Sequence, residues 1–196
     1  MRVAILSDTH GFLDPRIAER IKECDVAVHA GDIGGADVLL ALQAREEVVA
    51  IRGNNDTPDK WAHGEHHMLD TLPREASLEL PGGRLVVLHG DDGGSLAERH
   101  RRYRRQHADA GAIVYGHSHR LLTDLDERPW ILNPGAAGRT RTYGGPSCLF
   151  LECDPQGWRI EELRLEPRKY PSLRRQGRRG QDTEVADGGA RHSSDG

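Results

Sequence analysis

Five short apolar runs recur along the first 120 residues, and each ends abruptly in polar side chains. RVAILS (Arg2 to Ser7) leads into Asp8-Thr9-His10-Gly11, VAVHA (Val26 to Ala30) into Gly31-Asp32, and VVAIR (Val48 to Arg52) into Gly53-Asn54. RLVVLH (Arg84 to His89) leads into Gly90-Asp91, and AIVYG (Ala112 to Gly116) into His117-Ser118-His119. Runs this short, β-branched and apolar on both faces predict strands covered on both sides. Helical patterns lie between them. Asp14 to Glu23 places Ile17 and Ile21 on one face, with Pro15 at an allowed first-turn position. Gly34 to Ala44 carries Val38, Leu39 and Leu42. Ser95 to Ala110 opens on a capping box of Ser95 and Glu98. It aligns Leu96, His100, Tyr103 and His107 on one stripe and turns Arg99, Arg101, Arg102, Arg104 and Arg105 to other faces. After Leu121 the pattern changes to short strands with turns, in WILNPG, SCLFLECD and WRIEELRL, which predict a second, antiparallel sheet packed on the first.

The opening β-α-β-α-β order matters for function, because such sheets gather the loops beyond the C-terminal strand ends into one crevice. Those loops supply Asp8, His10, Asp32, Asn54, His89, His117 and His119. A single Asp-x-His or a lone strand-end His is common, and the usual reading of either is a core or surface residue. Five apolar strands closing in turn on such residues point to a shared site. Seven oxygen and nitrogen donors are too many for one tetrahedral zinc. They suit two cations about 3.5–4 Å apart with a bridging carboxylate. A donor set of carboxylate, imidazole and amide without thiolate favours Mn, Fe or Zn over copper.

Composition narrows the alternatives. The chain has 196 residues, 36% hydrophobic and 30% charged, enough for one domain with a proper core. No apolar run approaches the ~20 residues of a membrane span, and strand-like sequence from the second residue leaves no room for a signal peptide. Cys24, Cys148 and Cys153 are an odd number without metal-ligand spacing, so a reducing, cytoplasmic location is expected. The net charge of −4 is uneven: the segment 167–196 carries +3 and residues 1–166 carry −7. An acidic body argues against stable nucleic-acid binding. Two regions are therefore expected: a domain over 1–166 and a basic tail over 167–196, with too few apolar residues beyond about Leu173 to order it.

The motifs SDTHG (Ser7 to Gly11), HAGDI (His29 to Ile33), GNND (Gly53 to Asp56), LHGD (Leu88 to Asp91), GHSH (Gly116 to His119) and NPGAAG (Asn133 to Gly138) resemble those of the calcineurin-like metallophosphoesterases. The likeness is to their small single-domain prokaryotic phosphodiesterase type and covers Met1 to about Leu165. It implies an α/β fold, an αββα sandwich of two mixed sheets flanked by helices. It also implies that Asp8, His10 and His119 hold one divalent metal, that Asn54, His89 and His117 hold the other, and that Asp32 bridges them. Manganese is the first choice for both, with Fe, Zn or Ni as alternatives. His29 is expected to pack behind the site.

One position departs from the pattern. Many members have His directly after the ligand Asn, contacting the phosphate and protonating the leaving oxygen. Here that position is Asn55, which can donate a hydrogen bond but is no general acid. Asn54, Asn55 and Asp56 form the candidate catalytic loop, with Asp56 as its local scaffold. The segment Thr57 to Leu72 is expected to overhang the site as a cap. In it Trp61 is a candidate for stacking on a substrate, against the alternative that it packs on the body. His63, His66 and His67 are each read as solvated, with the alternative that one of them supplies the missing acid. The resulting expectation is hydrolysis of phosphate diesters by a metal-bridging hydroxide. The alternatives are a phosphomonoesterase acting on nucleotides or phosphoproteins, and a non-catalytic scaffold like the retromer subunit of the same fold. Homo-oligomerisation is left open.

Overall fold

The computed structural model describes residues 1–170. Ten strands run in chain order: β1 (Arg2–Leu6), β2 (Val26–His29), β3 (Glu47–Ala50), β4 (Glu75–Leu80), β5 (Gly83–Leu88), β6 (Ala112–Tyr115), β7 (Leu121–Asp124), β8 (Trp130–Pro134), β9 (Ser147–Asp154) and β10 (Gly157–Arg164). The helices are α1 (Pro15–Ile21), α2 (Ala36–Ala41), α3 (His66–Thr71) and α4 (Leu96–Gln106), and a 3-10 turn spans His63–Glu65. None of the described helices is long and apolar enough to cross a membrane.

The strands form two five-stranded sheets, ordered β10-β9-β1-β2-β3 and β4-β5-β6-β8-β7. In the first, β1, β2 and β3 are parallel, and β9 and β10 join antiparallel. In the second, β5, β6 and β8 are parallel, flanked by antiparallel β4 and β7. Both sheets are thus mixed, as the resemblance implies. The expected split, with every early strand in one sheet and an antiparallel second sheet after Leu121, is corrected. β5 and β6 lie at the centre of the second sheet. The late hairpin of β9 and β10 returns to the first, where β9 fills the free edge of β1 with Val3 opposite Leu151. Local alternation sets which face a strand buries but not which strand it pairs with.

The face assignments show the layers. On β9, Leu149, Leu151 and Cys153 point into the core between the sheets, beside Val3, Ile5, Val28, Val87 and Val114. Cys148 and Phe150, between them in sequence, point the other way, against Ile17 and Ile21 of α1. The outer face of the second sheet is covered by α4, whose Tyr103 packs on Val86, Ile113 and Tyr115. The order is therefore helix, sheet, sheet, helix. Ser95 and Glu98 form the reciprocal box as the sequence predicts, and Asp14 caps α1, accepting the Arg16 N–H at 3.0 Å before Pro15. Three of the five α4 arginines are paired: Arg99 and Arg102 face Asp92, and Arg104 lies 2.9 Å from Asp124 and 3.1 Å from Glu127. Just past the domain boundary expected at 166, the Tyr170 hydroxyl donates to Asp14 at 2.9 Å. The region beyond Leu173 lies outside the described residues.

Leu151→Ala should remove a fully buried side chain from the core between the sheets. The expected cost is about 2–5 kcal/mol, read as a lower urea midpoint with an unchanged slope.

Candidate metal centre

The parallel strands of both sheets end at the same side of the sandwich, so loops from different sheets meet there. Asp8 and His10 follow β1, Asp32 follows β2, Asn54 follows β3, His89 follows β5, and His117 and His119 follow β6. The structure brings all seven together in two groups. One donor atom from each of Asp8, His10, Asp32 and His119 lies within 4.8 Å of the others. His10 Nε2 is 3.1 Å from His119 Nε2, which is 3.4 Å from Asp8 Oδ1. The second group converges on Asn54 Oδ1, with His89 Nε2 at 3.1 Å and His117 Nδ1 at 3.0 Å. Asp32 stands between them, with Oδ1 3.4 Å from His89 Nε2 and Oδ2 3.8 Å from His10 Nε2.

Five of these seven residues, Asp8, His10, Asp32, His117 and His119, have left-handed backbone, with φ from 48° to 63°. Among the described residues, Arg141 is the sole other non-glycine in that region. The conformation costs an L-residue about 1–2 kcal/mol, and such strain gathers at functional sites. It bends the chain sharply just beyond the strand ends, where these side chains meet those of neighbouring loops. The turns are held by bonds between loops: Asp8 N–H to Gly31 O at 3.0 Å, His10 N–H to Asp32 O at 3.0 Å and Gly11 N–H to Ile33 O at 2.7 Å. Gly53 allows a close approach, since a Cβ there would overlap the Asp32 backbone nitrogen and carboxylate.

Asp56 scaffolds the site. Its buried carboxylate accepts from the backbone N–H of Ile33 at 3.2 Å, Gly34 at 3.0 Å and Gly53 at 2.9 Å, and from the Trp61 indole at 3.1 Å. Asn55 faces inward: its N–H donates to Asp32 Oδ1 at 2.8 Å and its side-chain amide to Asp32 Oδ2 at 2.7 Å. The resemblance turns this residue toward a phosphate; the structure turns it onto the central carboxylate. Trp61, the candidate for stacking, is buried against Ile33, Val38 and Leu69, so its ring is not available to a ligand. His63 packs edge-on against His66, and His66 pairs with Pro58 O at 2.9 Å. The cap meets the site instead through Lys60, Ala62 and Glu65, which line a cavity of about 440 Å³ with His10, Asp32 and Asn55.

The electrostatics fit a cation. Asp8 is fully buried, its Oδ1 has no hydrogen-bond donor, and burial pushes its carboxyl up to about 7 against the pull of His89. Burial would raise Asp32 too, but contacts with His89 and the two Asn55 donors outweigh it and hold Asp32 below the usual carboxylate range. Burial pushes His10 and His117 below the usual imidazole range and, helped by Arg141 and His10, takes His119 to about 4. Burial would lower His89 too, but the Asp32 carboxylate outweighs it and raises it. Neutral His10, His117 and His119 beside a buried, unpartnered carboxylate oxygen suit metal binding. His29 packs behind the cluster on Thr9 Oγ1 at 2.9 Å, as expected.

Some contributors escaped the sequence reading. Asn133 donates to Gly116 O at 2.8 Å and Ser118 Oγ at 3.0 Å, fixing the turn that carries His117. It lies in the NPGAAG motif, and that was its signal. Ser7 donates to Asp8 Oδ2 at 2.8 Å. Lys60 and Arg139 line the cavity, and Arg141 reaches His10 Nε2 at 3.3 Å. Nothing in their spacing marked these three.

A sandwich that converges buried carboxylates and imidazoles on one crevice defines a metallohydrolase-type architecture. The model of the calcineurin-like phosphoesterase superfamily domain matches residues 1–156, and the chain belongs to that family. A probable metallophosphoesterase of Methanothermobacter thermautotrophicus is 25% identical, over 84% of this chain and 92% of that protein. Among solved structures, Vps29 of Entamoeba histolytica in complex with zinc superposes with a TM-score of 0.63 at 20% identity, over 84% of this chain and 99% of that one. An archaeal phosphodiesterase gives 0.61 at 20% identity, over 83% and 100%. At these identities the two structures establish the shared fold.

The left-handed turns generate a test. Glycine normally costs ~0.5–1 kcal/mol against alanine, but at φ 63° the order should reverse. His117→Gly should be more stable than His117→Ala by about 1 kcal/mol in metal-free protein, compared by thermal or urea unfolding.

Proposed function

We propose that the protein is a two-metal phosphoesterase acting on phosphate diesters. The observation that carries this reading is the placement of Asp32, with one carboxylate oxygen toward His89 and the other toward His10. A carboxylate so placed is built to be shared. Asp8, His10 and His119 would hold one divalent cation, Asn54, His89 and His117 the other, and Asp32 both. Manganese is the metal we assign first to this oxygen and nitrogen set, before Fe, Zn or Ni. When bound, the cations supply Lewis acidity for a water nucleophile and for charge growing on the phosphoryl oxygens.

The chain's own residues do the rest. Asn55 holds both oxygens of Asp32, fixing the orientation of the shared ligand, and Asp56 fixes the loop that presents Asn54 and Asn55. Partners of this outer kind are typically worth 10–100-fold in metal affinity or activity. No imidazole stands at position 55, and none of His63, His66 and His67 lines the cavity. The site so offers little general-acid help, which is typically worth ~10²–10⁴ in rate, and substrates with good leaving groups are favoured. Three buried free cysteines support a reducing, cytoplasmic setting.

Asp32→Ala should lose tight binding of both metals and lower turnover on the order of 10³-fold or more, measured by metal analysis of dialysed protein and by assay. The parent, supplied with Mn, should hydrolyse bis(p-nitrophenyl) phosphate with a higher kcat/KM than p-nitrophenyl phosphate, which has the same leaving group. A preference for the monoester supports the phosphomonoesterase reading. Bound metal without turnover of either supports a scaffold.

A further inference from the structure

The cavity beside the metal cluster has a feature that hydrolysis of a simple diester does not use. It is lined by Lys60 and Arg139, with His10, Asp32 and Asn55 at its inner end and Gly34 and Gly35 along its wall. Among the described residues, neither cation has a carboxylate within 4.0 Å, unlike Arg99, Arg102 and Arg104 of α4; Arg101 and Arg105 lack one too, but they line no cavity with the metal cluster. The Lys60 ammonium instead donates to Asn55 Oδ1, the far end of the amide that holds Asp32. Arg139 lays its guanidinium over the Phe12 ring, 4.7 Å from the centroid. Residues 1–166 carry a net −7, so carboxylates are plentiful, and two cations without one at a single cavity are placed for an anion from outside. The lining also holds acceptors. Glu65 receives the Ala36 N–H at 3.2 Å, and Asp37 is exposed. Cations beside acceptors suit a ligand bearing hydroxyls as well as phosphate.

We infer that Lys60 and Arg139 form a subsite for a second phosphate, so that the substrates are sugar-phosphate or nucleotide diesters carrying a phosphate beyond the scissile one. This rests on the phosphoesterase reading above. One phosphate lies at the metal cluster, and the other reaches into the cavity, where a guanidinium and an ammonium meet it with charge-assisted hydrogen bonds. Lys60 and Arg139 are specificity residues in this role, acting on a group remote from the bond that breaks.

The test compares two ligands sharing the group at the metals. Equilibrium binding of adenosine 3′,5′-bisphosphate and adenosine 5′-monophosphate is measured on the Mn-supplied full chain, its K60Q variant and its R139Q variant. Each binding constant is expressed as the ratio between the ligands, so any damage to the shared metal site cancels. The parent should favour the bisphosphate by about tenfold or more, and each variant should bring that ratio close to one. A parent ratio near one, or a ratio that survives in either variant, overturns the subsite. If the parent hydrolyses no diester, the phosphoesterase reading fails, while the binding ratios still decide the subsite.

Discussion

The structure depends on holding four imidazoles, two carboxylates and an amide within contact of one another at the ends of strands from two sheets. No apolar burial favours this arrangement, and the backbone resists it. Five of the seven residues sit in left-handed turns, at about 1–2 kcal/mol apiece, against a total stability of ~5–15 kcal/mol for a domain. The surrounding sandwich must therefore over-determine the loops. It does so mainly with β1, β2 and β6, which are buried on both faces, whereas β3 is an edge strand with Val48 exposed, against the expectation of a covered strand there. Backbone bonds between loops, the close approach at Gly53 and the buried Asp56 carboxylate then lock the turns to one another.

Asp32 is where these constraints meet. Its backbone accepts from His10, its carboxylate accepts twice from Asn55, and its oxygens face opposite halves of the cluster. Lys60 in turn holds Asn55. A chain of contacts thus runs from the cap through position 55 to the central carboxylate. The amide that stands where the resemblance leads to a histidine orients the Asp32 carboxylate and links it to Lys60, which lines the cavity.

Much of this was legible in the sequence, for identifiable reasons. Apolar runs ending in Asp, His and Asn marked the strand ends, because a strand buried on both faces cannot place such residues anywhere else along its length. Ser95 with Glu98 and Pro15 in a first turn marked helix starts, because helix-start signals are local. The partner of β9 was not legible, since alternation in SCLFLECD tells which face is buried but not which neighbour. The role of Trp61 turned on the fold of the cap, where the indole N–H found Asp56 and drew the ring inward. The left-handed turns were invisible too, because the residues that adopt them are there for their side chains and not for their backbone preference. Lys60 and Arg139 carried no signal beyond charge, and their location emerged only with the cavity.

The central claim is that Asp32 is shared by two cations held by the two donor groups. Anomalous diffraction from crystals of the full chain soaked in manganese tests it directly. Two peaks are expected about 3.5–4 Å apart, one among Asp8, His10 and His119 and the other among Asn54, His89 and His117, with the Asp32 carboxylate between them. A single peak, or manganese bound away from these residues, would contradict it.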